Sequence, residues 1–281
     1  MQVACDIETV RSFLAPARRE GKRIGFVPTM GALHEGHLTL IRQARRDCAV
    51  VVVSIYVNPL QFGAGEDFSR YPRQFERDRE MCEREGTDLL FCPTDALVYP
   101  DGYATNVVVE RLGDGLCGRS RPGHFRGVTT VVLKLFGIVS PDVAYFGWKD
   151  AQQAIIIKRM VADLNIAVEI VTMPTVREAD GLAMSSRNQY LDAEARRQAP
   201  AIYAALEKAR AAWREQGIAD CNTLAQIIRD HIRLNTSGRI DYVEIVSLDR
   251  LAPLGCVAPG NTLVAVAVYL GAARLIDNIR L

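Results

Sequence analysis

The sequence lacks the cysteine spacing on which disulfide frameworks and zinc ribbons depend. Its seven cysteines are odd in number, and no two of them form a Cys-x-x-Cys pair. A secreted disulfide-stabilised scaffold and a zinc-ribbon protein are therefore both disfavoured. Reduced thiols in a cytoplasmic enzyme fit this cysteine usage better.

Long apolar runs, a targeting segment and an excess of either charge are missing as well. The longest strongly apolar run, AVVVVSIYV, has nine residues, whereas a membrane-spanning helix needs about 20. The amino-terminal stretch MQVACDIETVRSFL has no basic segment followed by an apolar one, so we expect no signal peptide. A formal net charge of +1 gives no reason to expect a nucleic-acid-binding surface.

Apolar residues make up 49% of the 281 residues, enough to bury a substantial core. Up to about residue 175, short β-branched runs alternate with segments of helical periodicity. The predicted strands are 23–29, 49–57, 88–93, 143–147 and 167–174, and the predicted helices are 37–47, 71–86, 127–139 and 150–164. This alternation predicts an α/β fold with a Rossmann-like, doubly wound parallel sheet. Such sheets bind ligands at the carboxyl ends of their strands.

The pattern changes after about residue 175. Two predicted helices, 193–217 and 223–235, precede predicted strands at 239–248, 262–270 and 273–281. Helices followed by strands indicate a smaller α+β domain. We therefore predict a Rossmann-like domain over residues 1–175 and a C-terminal α+β domain over residues 176–281.

Two of the four histidines, His34 and His37, lie in the segment PTMGALHEGH, between the first predicted strand and the helix that follows it. A zinc-binding helix of the metalloprotease type needs His-Glu-x-x-His, and this spacing is one residue short. No carboxylate or cysteine stands out as a third ligand. A zinc site is therefore disfavoured.

Two interpretations of this segment remain. One is that the histidines only cap the helix. The other is a phosphate-binding segment, in which Gly31 and Gly36 allow positive φ and the helix N-terminus offers unpaired N–H groups. Histidines there can donate hydrogen bonds to phosphate oxygens as charge develops. A nucleotide would then bind without a Walker A loop or a G-x-G-x-x-G turn, because neither occurs here.

Two further segments offer phosphate partners, each with a plainer alternative. MSSRN (184–188) places two hydroxyls beside Arg187, whose guanidinium suits bidentate phosphate binding. The alternative is a serine-rich interdomain linker. FGWKDAQQ (146–153) offers Lys149 to a phosphate and Gln153 to a hydroxyl or carboxylate. The alternative for this lysine is a surface position at a helix start.

Two more segments offer polar groups to a second ligand. YVNPLQF (56–62) places Asn58 and Gln61 on either side of a proline, and turn chemistry is the plainer interpretation, above all for the asparagine. RPGHFRG (121–127) places His124 between two arginines. A solvated basic loop is its plainer alternative.

The motifs together resemble a known family. A His-x-Gly-His segment after the first strand, paired with a late MSSR segment, is similar to the nucleotidyl-transfer superfamily. PTMGALHEGH, YVNPLQF, RPGHFRGV, FGWKDAQQ and TVREADGLAMSSRN in this order resemble the pantoate–β-alanine ligase (pantothenate synthetase) family over nearly the whole chain. The resemblance implies ATP-dependent condensation of pantoate with β-alanine through pantoyl adenylate, with release of AMP and pyrophosphate, in pantothenate and coenzyme A biosynthesis.

The same resemblance implies the site residues. His37, described in the family as a proton donor, His34 and Lys149 would be catalytic. The residues implied to bind ATP are Met30, Gly31, Ala32, Leu33, His34, Glu35, Gly36, His37, Gly147, Trp148, Lys149, Asp150, Val176, Met184, Ser185, Ser186 and Arg187. Those implied to bind pantoate or β-alanine are Gln61, Gln153, Asn58 and His124.

The resemblance also implies the surroundings of the reaction. Mg²⁺ is expected with ATP because the phosphates carry much charge, although no protein side chain is assigned as its ligand. The second domain would cover ATP and exclude water from the adenylate. A cytoplasmic homodimer is expected, without nucleic-acid or membrane partners.

One position departs from the family pattern. Trp148 stands where members commonly carry glutamate or another polar residue, and a contact with ATP through the backbone would tolerate the change. The alternatives to a ligase are a nucleotidylyltransferase, a zinc hydrolase using the two neighbouring histidines, and a catalytically silent nucleotide-binding module.

Overall fold

The five strands predicted in the first half lie together in one parallel sheet, which a short amino-terminal strand extends. In the computed structural model, which describes residues 1–281, the strand order is β1-β4-β3-β2-β5-β6 and every pairing is parallel. The strands are β1 (Gln2–Ala4), β2 (Ile24–Thr29), β3 (Val50–Ile55), β4 (Leu89–Phe91), β5 (Val143–Gly147) and β6 (Glu169–Met173). The predicted α/β class with a Rossmann-like parallel sheet is confirmed.

Helices connect these strands. They are α1 (Ile7–Arg19), α2 (Glu35–Asp47), α3 (Phe75–Arg84), α4 (Asp95–Val98), α5 (Cys117–Ser120), α6 (His124–Val139) and α7 (Ala151–Asp163). The central strands are buried on both faces: Phe26 and Val52 belong to one core cluster, and Val27 and Val53 belong to another. Continuous apolar runs are what a parallel sheet covered on both sides requires.

The C-terminal part contains α8 (Ala193–Gln198), α9 (Pro200–Gln216) and α10 (Cys221–Asn235), followed by β7 (Arg239–Ser247), β8 (Thr262–Leu270) and β9 (Ala273–Arg280). The three strands form an antiparallel sheet in the order β7-β8-β9. Buried side chains of α9, α10 and this sheet share one core, for example Leu206, Ile228 and Val266. This is the expected smaller α+β fold.

The contacts divide the chain into two compact units. The first comprises Met1–Glu110, Arg121–Trp148 and Ile156–Pro174, and the second comprises Arg111–Ser120, Lys149–Ile155 and Thr175–Leu281. The second unit therefore includes two segments that precede residue 175. No helix in the structure is both long enough and apolar enough to cross a membrane.

Several element boundaries differ from the predictions, each for a local reason. The predicted helix 193–217 is two helices, because Pro200 has no N–H to continue the first and begins the second. Helix α2 begins at Glu35, two residues earlier than predicted, because His34 is its N-cap. The predicted helix 150–164 begins with a 3₁₀ turn at Trp148–Asp150.

Candidate active site

The chain leaves β2 through a tight loop that leads into α2. Gly31 and Ala32 have φ values of 79° and 50°, two successive residues in the left-handed region. The N–H groups of Ala32 and Leu33 donate to the two carboxylate oxygens of Asp78, over 2.7 and 2.8 Å. Asp78 lies on α3 and is 1% exposed. Sequence analysis missed this residue.

The two histidines of the segment cap the start of α2 reciprocally. The N–H of Gly36 donates to His34 Nδ1 over 3.2 Å, and the N–H of His34 donates to His37 Nδ1 over 3.3 Å. The ring centroids are 4.1 Å apart. Since both Nδ1 atoms accept hydrogen bonds, the proton of each neutral ring lies on Nε2. Capping therefore sets both imidazoles as Nε2–H donors.

This arrangement changes the expected source of phosphate donors. The N–H groups of His37 and Leu38 donate to the His34 carbonyl, and the N–H of Gly36 is already capped. Most of the helix N–H groups expected to be unpaired thus have partners. Gly36 is helical, so positive φ, expected at both glycines, occurs only at Gly31. The side chains of the segment, more than its backbone, offer donors to an anion.

Gln61 connects this segment to the one that follows β3. Its Nε2 donates to the sulfur of Met30 over 2.7 Å, and its Oε1 accepts from Asn58 Nδ2 over 3.1 Å. Gln61 lies at the end of a 3₁₀ turn, Pro59–Gln61, and is 8% exposed. Two predicted site residues, Met30 and Gln61, are therefore in contact.

Asn58 has every hydrogen-bonding group of its side chain engaged within the protein. Its Nδ2 donates to Gln61 Oε1 and to the Gly127 carbonyl, both over 3.1 Å. Its Oδ1 accepts from the N–H of Leu60 and from the hydroxyl of Tyr99. An amide with two donors and two acceptors used is fully satisfied. The turn interpretation of this asparagine is the one that its contacts favour.

His124 joins an ion pair to the backbone of Gln61. Arg121 donates to both carboxylate oxygens of Glu66, each over 2.7 Å, and its NH1 lies 3.0 Å from His124 Nε2. An arginine can only donate, so Nε2 accepts and the proton lies on Nδ1, which is 2.8 Å from the Gln61 carbonyl. Burial alone would raise the pKa of Glu66, but the bonds from Arg121 hold that pKa below its usual value.

The second unit places Val176 and Met184 opposite each other in a short hairpin. The N–H of Met184 donates to the Val176 carbonyl over 2.9 Å. The hairpin turns at Gly181, with φ of 93°, and Arg177 ties it to β9 through two bonds to Asp277, over 2.6 and 2.9 Å. The MSSR segment therefore follows a fixed hairpin and is not a loose linker.

The residues after the hairpin form an ordered turn. Ser185 caps the 3₁₀ turn Ser186–Tyr190 by accepting the N–H of Arg187 over 3.3 Å. Asn188 donates to Glu178 and to the Ala183 carbonyl. Ser185, Ser186 and Arg187, predicted as phosphate partners, thus lie on a supported turn.

Lys149 is the middle residue of the 3₁₀ turn Trp148–Asp150, which precedes α7. Its carbonyl accepts from Asn278 Nδ2 over 3.0 Å, and its Nζ is 3.6 Å from the Asp150 carboxylate. Gln153 is half-buried in the first turn of α7. The adjacent Gln152, which sequence analysis missed, is buried and bonds backbone groups of residues 112–117.

No group of three or more histidine, cysteine, aspartate or glutamate side chains in the structure could hold a metal ion. The two capping histidines have no third ligand of these types beside them. A resident zinc centre therefore does not fit the side chains present.

Comparison with known proteins identifies close relatives. The family model described as pantoate-beta-alanine ligase matches residues 2–280. The chain is 56% identical to the pantothenate synthetase of Pelotomaculum thermopropionicum, with 99% of this chain and 98% of that protein covered. It is 53% identical to that of Geobacillus kaustophilus, with 99% and 92% covered.

Solved structures agree. The crystal structure of pantothenate synthetase from Thermus thermophilus matches with a TM-score of 0.94 at 46% identity, covering 100% of this chain and 99% of that one. Pantoate-beta-alanine ligase from Francisella tularensis, complexed with beta-gamma ATP and beta-alanine, matches with a TM-score of 0.82 at 35% identity, covering 100% and 97%.

Proposed function

The chain belongs to the pantoate–β-alanine ligase family and catalyses ATP-dependent condensation of pantoate with β-alanine, and we propose how its residues serve the two steps. A pantoate carboxylate oxygen first attacks the α-phosphorus of ATP, and the bond to pyrophosphate breaks. The β-alanine amine then attacks the acyl carbon of pantoyl adenylate, loses a proton and displaces AMP. Neither step needs an enzyme nucleophile, so in-line positioning and charge stabilisation carry the catalysis.

His34 and His37 donate Nε2–H hydrogen bonds to the phosphates of ATP in this proposal. The observation that carries it is the reciprocal cap, in which both Nδ1 atoms accept backbone N–H groups. Pre-set donors need no reorganisation when charge develops on the α-phosphate and on the leaving pyrophosphate. In this neutral form His37 stabilises the departing pyrophosphate through its Nε2–H hydrogen bond and keeps its proton.

Cationic and hydroxyl side chains also pair with the triphosphate in this proposal. Lys149 and Arg187 neutralise phosphate charge, and the hydroxyls of Ser185 and Ser186 donate to phosphate oxygens. Val176 contacts the adenosine through its backbone. The support is that each lies on an anchored segment: the Val176–Met184 hairpin, the capped turn, and the carbonyl of Lys149 held by Asn278.

Gln61 and Gln153 hold pantoate through neutral amide groups, and Gln61 also contacts β-alanine. An amide can bond a hydroxyl or carboxylate without adding charge near the reacting carboxylate. Asn58 and His124 serve this site by positioning Gln61. Asn58 holds the side-chain amide of Gln61, and His124 holds the backbone carbonyl of Gln61.

Mg²⁺ accompanies ATP in this proposal. Because no cluster of three ligand side chains is present, phosphate oxygens and water would supply most of its ligands, as is usual for this ion. When bound, it supplies charge neutralisation on the triphosphate.

The protein works as a cytoplasmic homodimer in this proposal. All seven cysteines are free thiols, which fits a reducing compartment. Sedimentation of the purified chain tests the dimer. A species of twice the chain mass of 31.1 kDa supports it, and a species of the monomer mass contradicts it.

The decisive assay mixes the protein with ATP, Mg²⁺ and pantoate, with and without β-alanine. We expect AMP and pantothenate together only in the complete mixture. A nucleotidylyltransferase would instead release a stable nucleotidyl product without an amine. Absence of AMP in the complete mixture would sink the ligase assignment.

A further inference from the structure

The buried carboxylate of Asp78 is the side-chain anchor of the loop between β2 and α2. We infer that Asp78 is a positioning residue for ATP binding, which holds the Met30–Leu33 loop in its left-handed conformation by accepting the N–H groups of Ala32 and Leu33. The inference rests on the proposed function, in which Met30–His37 binds ATP. No contact between Asp78 and a substrate is needed.

The loop conformation requires such an anchor. Ala32 has φ of 50°, where a β-carbon approaches the following carbonyl and the conformation costs free energy. Gly31, at 79°, can take this conformation without that cost. A β-carbon at Gly31 would also lie 3.0 Å from Asp78 Oδ2. The carboxylate and the loop are therefore fitted to each other.

Burying the Asp78 carboxylate at this position is energetically unfavourable unless the group is hydrogen-bonded. Its side chain lies on the buried face of α3 at 1% exposure, and burial raises its pKa while the two N–H groups oppose that rise. Both carboxylate oxygens are paired: Oδ2 accepts the N–H of Ala32 over 2.7 Å, and Oδ1 accepts the N–H of Leu33 over 2.8 Å. An apolar side chain could fill this space but could not accept either bond.

The anchored loop lies between two functional residues. At one end, Met30 accepts from Gln61 through its sulfur. At the other end, Leu33 is followed directly by His34, the N-cap of α2, whose Nδ1 accepts from Gly36. Fixing Ala32 and Leu33 therefore also fixes the start of α2, and with it the positions of the two imidazoles. Loosening the loop should weaken ATP binding before it affects the rest of the fold.

The test is ATP titration of Asp78→Asn by calorimetry, in buffer containing MgCl₂. Asparagine has the same shape but turns an NH₂ toward one of the two N–H donors, so at most one bond survives. We expect the Kd for ATP to rise about tenfold, the effect of leaving one buried donor unsatisfied. Glu80→Gln is the matched control, because it removes the same charge from an exposed position on the same helix. Its Kd should stay within twofold of the parent.

Calorimetry separates a positioning role from a merely structural one. Partial misfolding lowers the binding stoichiometry but leaves the Kd of the folded fraction unchanged. A rise in Kd of threefold or more supports the inference, and a smaller change overturns it whatever happens to Tm. If Asp78→Asn does not fold, the comparison moves to Ala32→Gly with and without Asp78→Asn, because glycine relieves the loop strain. The same threefold criterion then applies between those two proteins.

ATP titration of a second variant, His37→Asn, distinguishes failure of this inference from failure of the proposed ATP site. If His37→Asn weakens ATP binding and Asp78→Asn does not, only the positioning role of Asp78 fails. If neither changes the Kd, the Met30–His37 segment does not bind ATP, and both the site assignment and the inference fail.

Discussion

The backbone of Gly127 packs directly against the backbone of Leu60. A β-carbon at Gly127 would overlap the Leu60 carbonyl and lie 2.6 Å from the Gln61 nitrogen. The Gly127 carbonyl also accepts from Asn58, so the start of α6 is fastened to the Pro59–Gln61 turn. The position of Gln61 therefore depends on the absence of a side chain at residue 127.

Gly127→Ala should lower both stability and activity. The added methyl must push α6 from the turn, and overpacking of this kind costs about 1–3 kcal/mol. Turnover should fall because Gln61 moves with the turn. Gly137→Ala, on the same helix, is the control: nothing lies within 4 Å of the added methyl, and it should stabilise by about 0.5–1 kcal/mol as glycine leaves a helix interior. Urea unfolding and steady-state assays of both variants check this, and equal effects of the two would contradict it.

The elements that sequence predicted well are those with a strong local signal. Strands 143–147 and 262–270 match the structure to the residue, because each short apolar run has a polar residue before it and a glycine at or directly after its end. β1 was missed because three residues, Gln2–Ala4, carry no periodicity, and their pairing with β4 is a long-range event.

The candidate site shows the same division. His34 and His37 follow β2, and Gln61 follows β3, as the predicted strands implied, because strand signals are local. Asp78 was missed because it acts through backbone groups 45 and 46 residues away, inside a helix that reads as a charged surface segment. The strict requirement for glycine at residue 127 was likewise invisible, since its neighbour, Leu60, is remote in sequence.

The Glu66–Arg121 pair should contribute stability that depends on pH. Because the folded-state pKa of Glu66 is below its ordinary value of 4.5, the contribution is present above that value and is lost as the pH falls through the folded pKa. Glu66→Gln should therefore cost about 1 kcal/mol at pH 7 and progressively less below pH about 4.5. Urea unfolding of both proteins across this range measures the difference. A gap that stays constant with pH would show that the charge of Glu66 is not involved.

His37→Ala should lower turnover on the order of 10²-fold or more, as loss of one donor to developing charge does. His231→Ala is a suitable control, because His231 lies on α10 in the other unit and has no proposed role. Near-normal turnover of His37→Ala in the AMP-forming assay would remove its catalytic role, whereas loss of turnover in both variants would indicate a general effect on the fold.

Trp148→Glu should change the KM for ATP little. Trp148 is the first residue of a 3₁₀ turn and is half-buried. Asn278 donates to the carbonyl of the next residue, Lys149. If ATP meets this turn through the backbone, the side chain is free to differ from the family pattern. Steady-state kinetics with ATP varied provide the measurement. A large fall in KM would show that the indole interferes with nucleotide binding.

The hydrogen-bond geometry predicts opposite tautomers for the site histidines, which nitrogen-15 NMR can read directly. His34 and His37 should each carry the proton on Nε2, because Nδ1 accepts a backbone N–H. His124 should carry it on Nδ1, because Arg121 can only donate to Nε2. With four histidines in the chain the spectrum is simple, and single His→Asn variants assign each signal. An Nδ1–H form at His37 would mean that the cap does not orient the donor, and the phosphate role would then lose its physical basis.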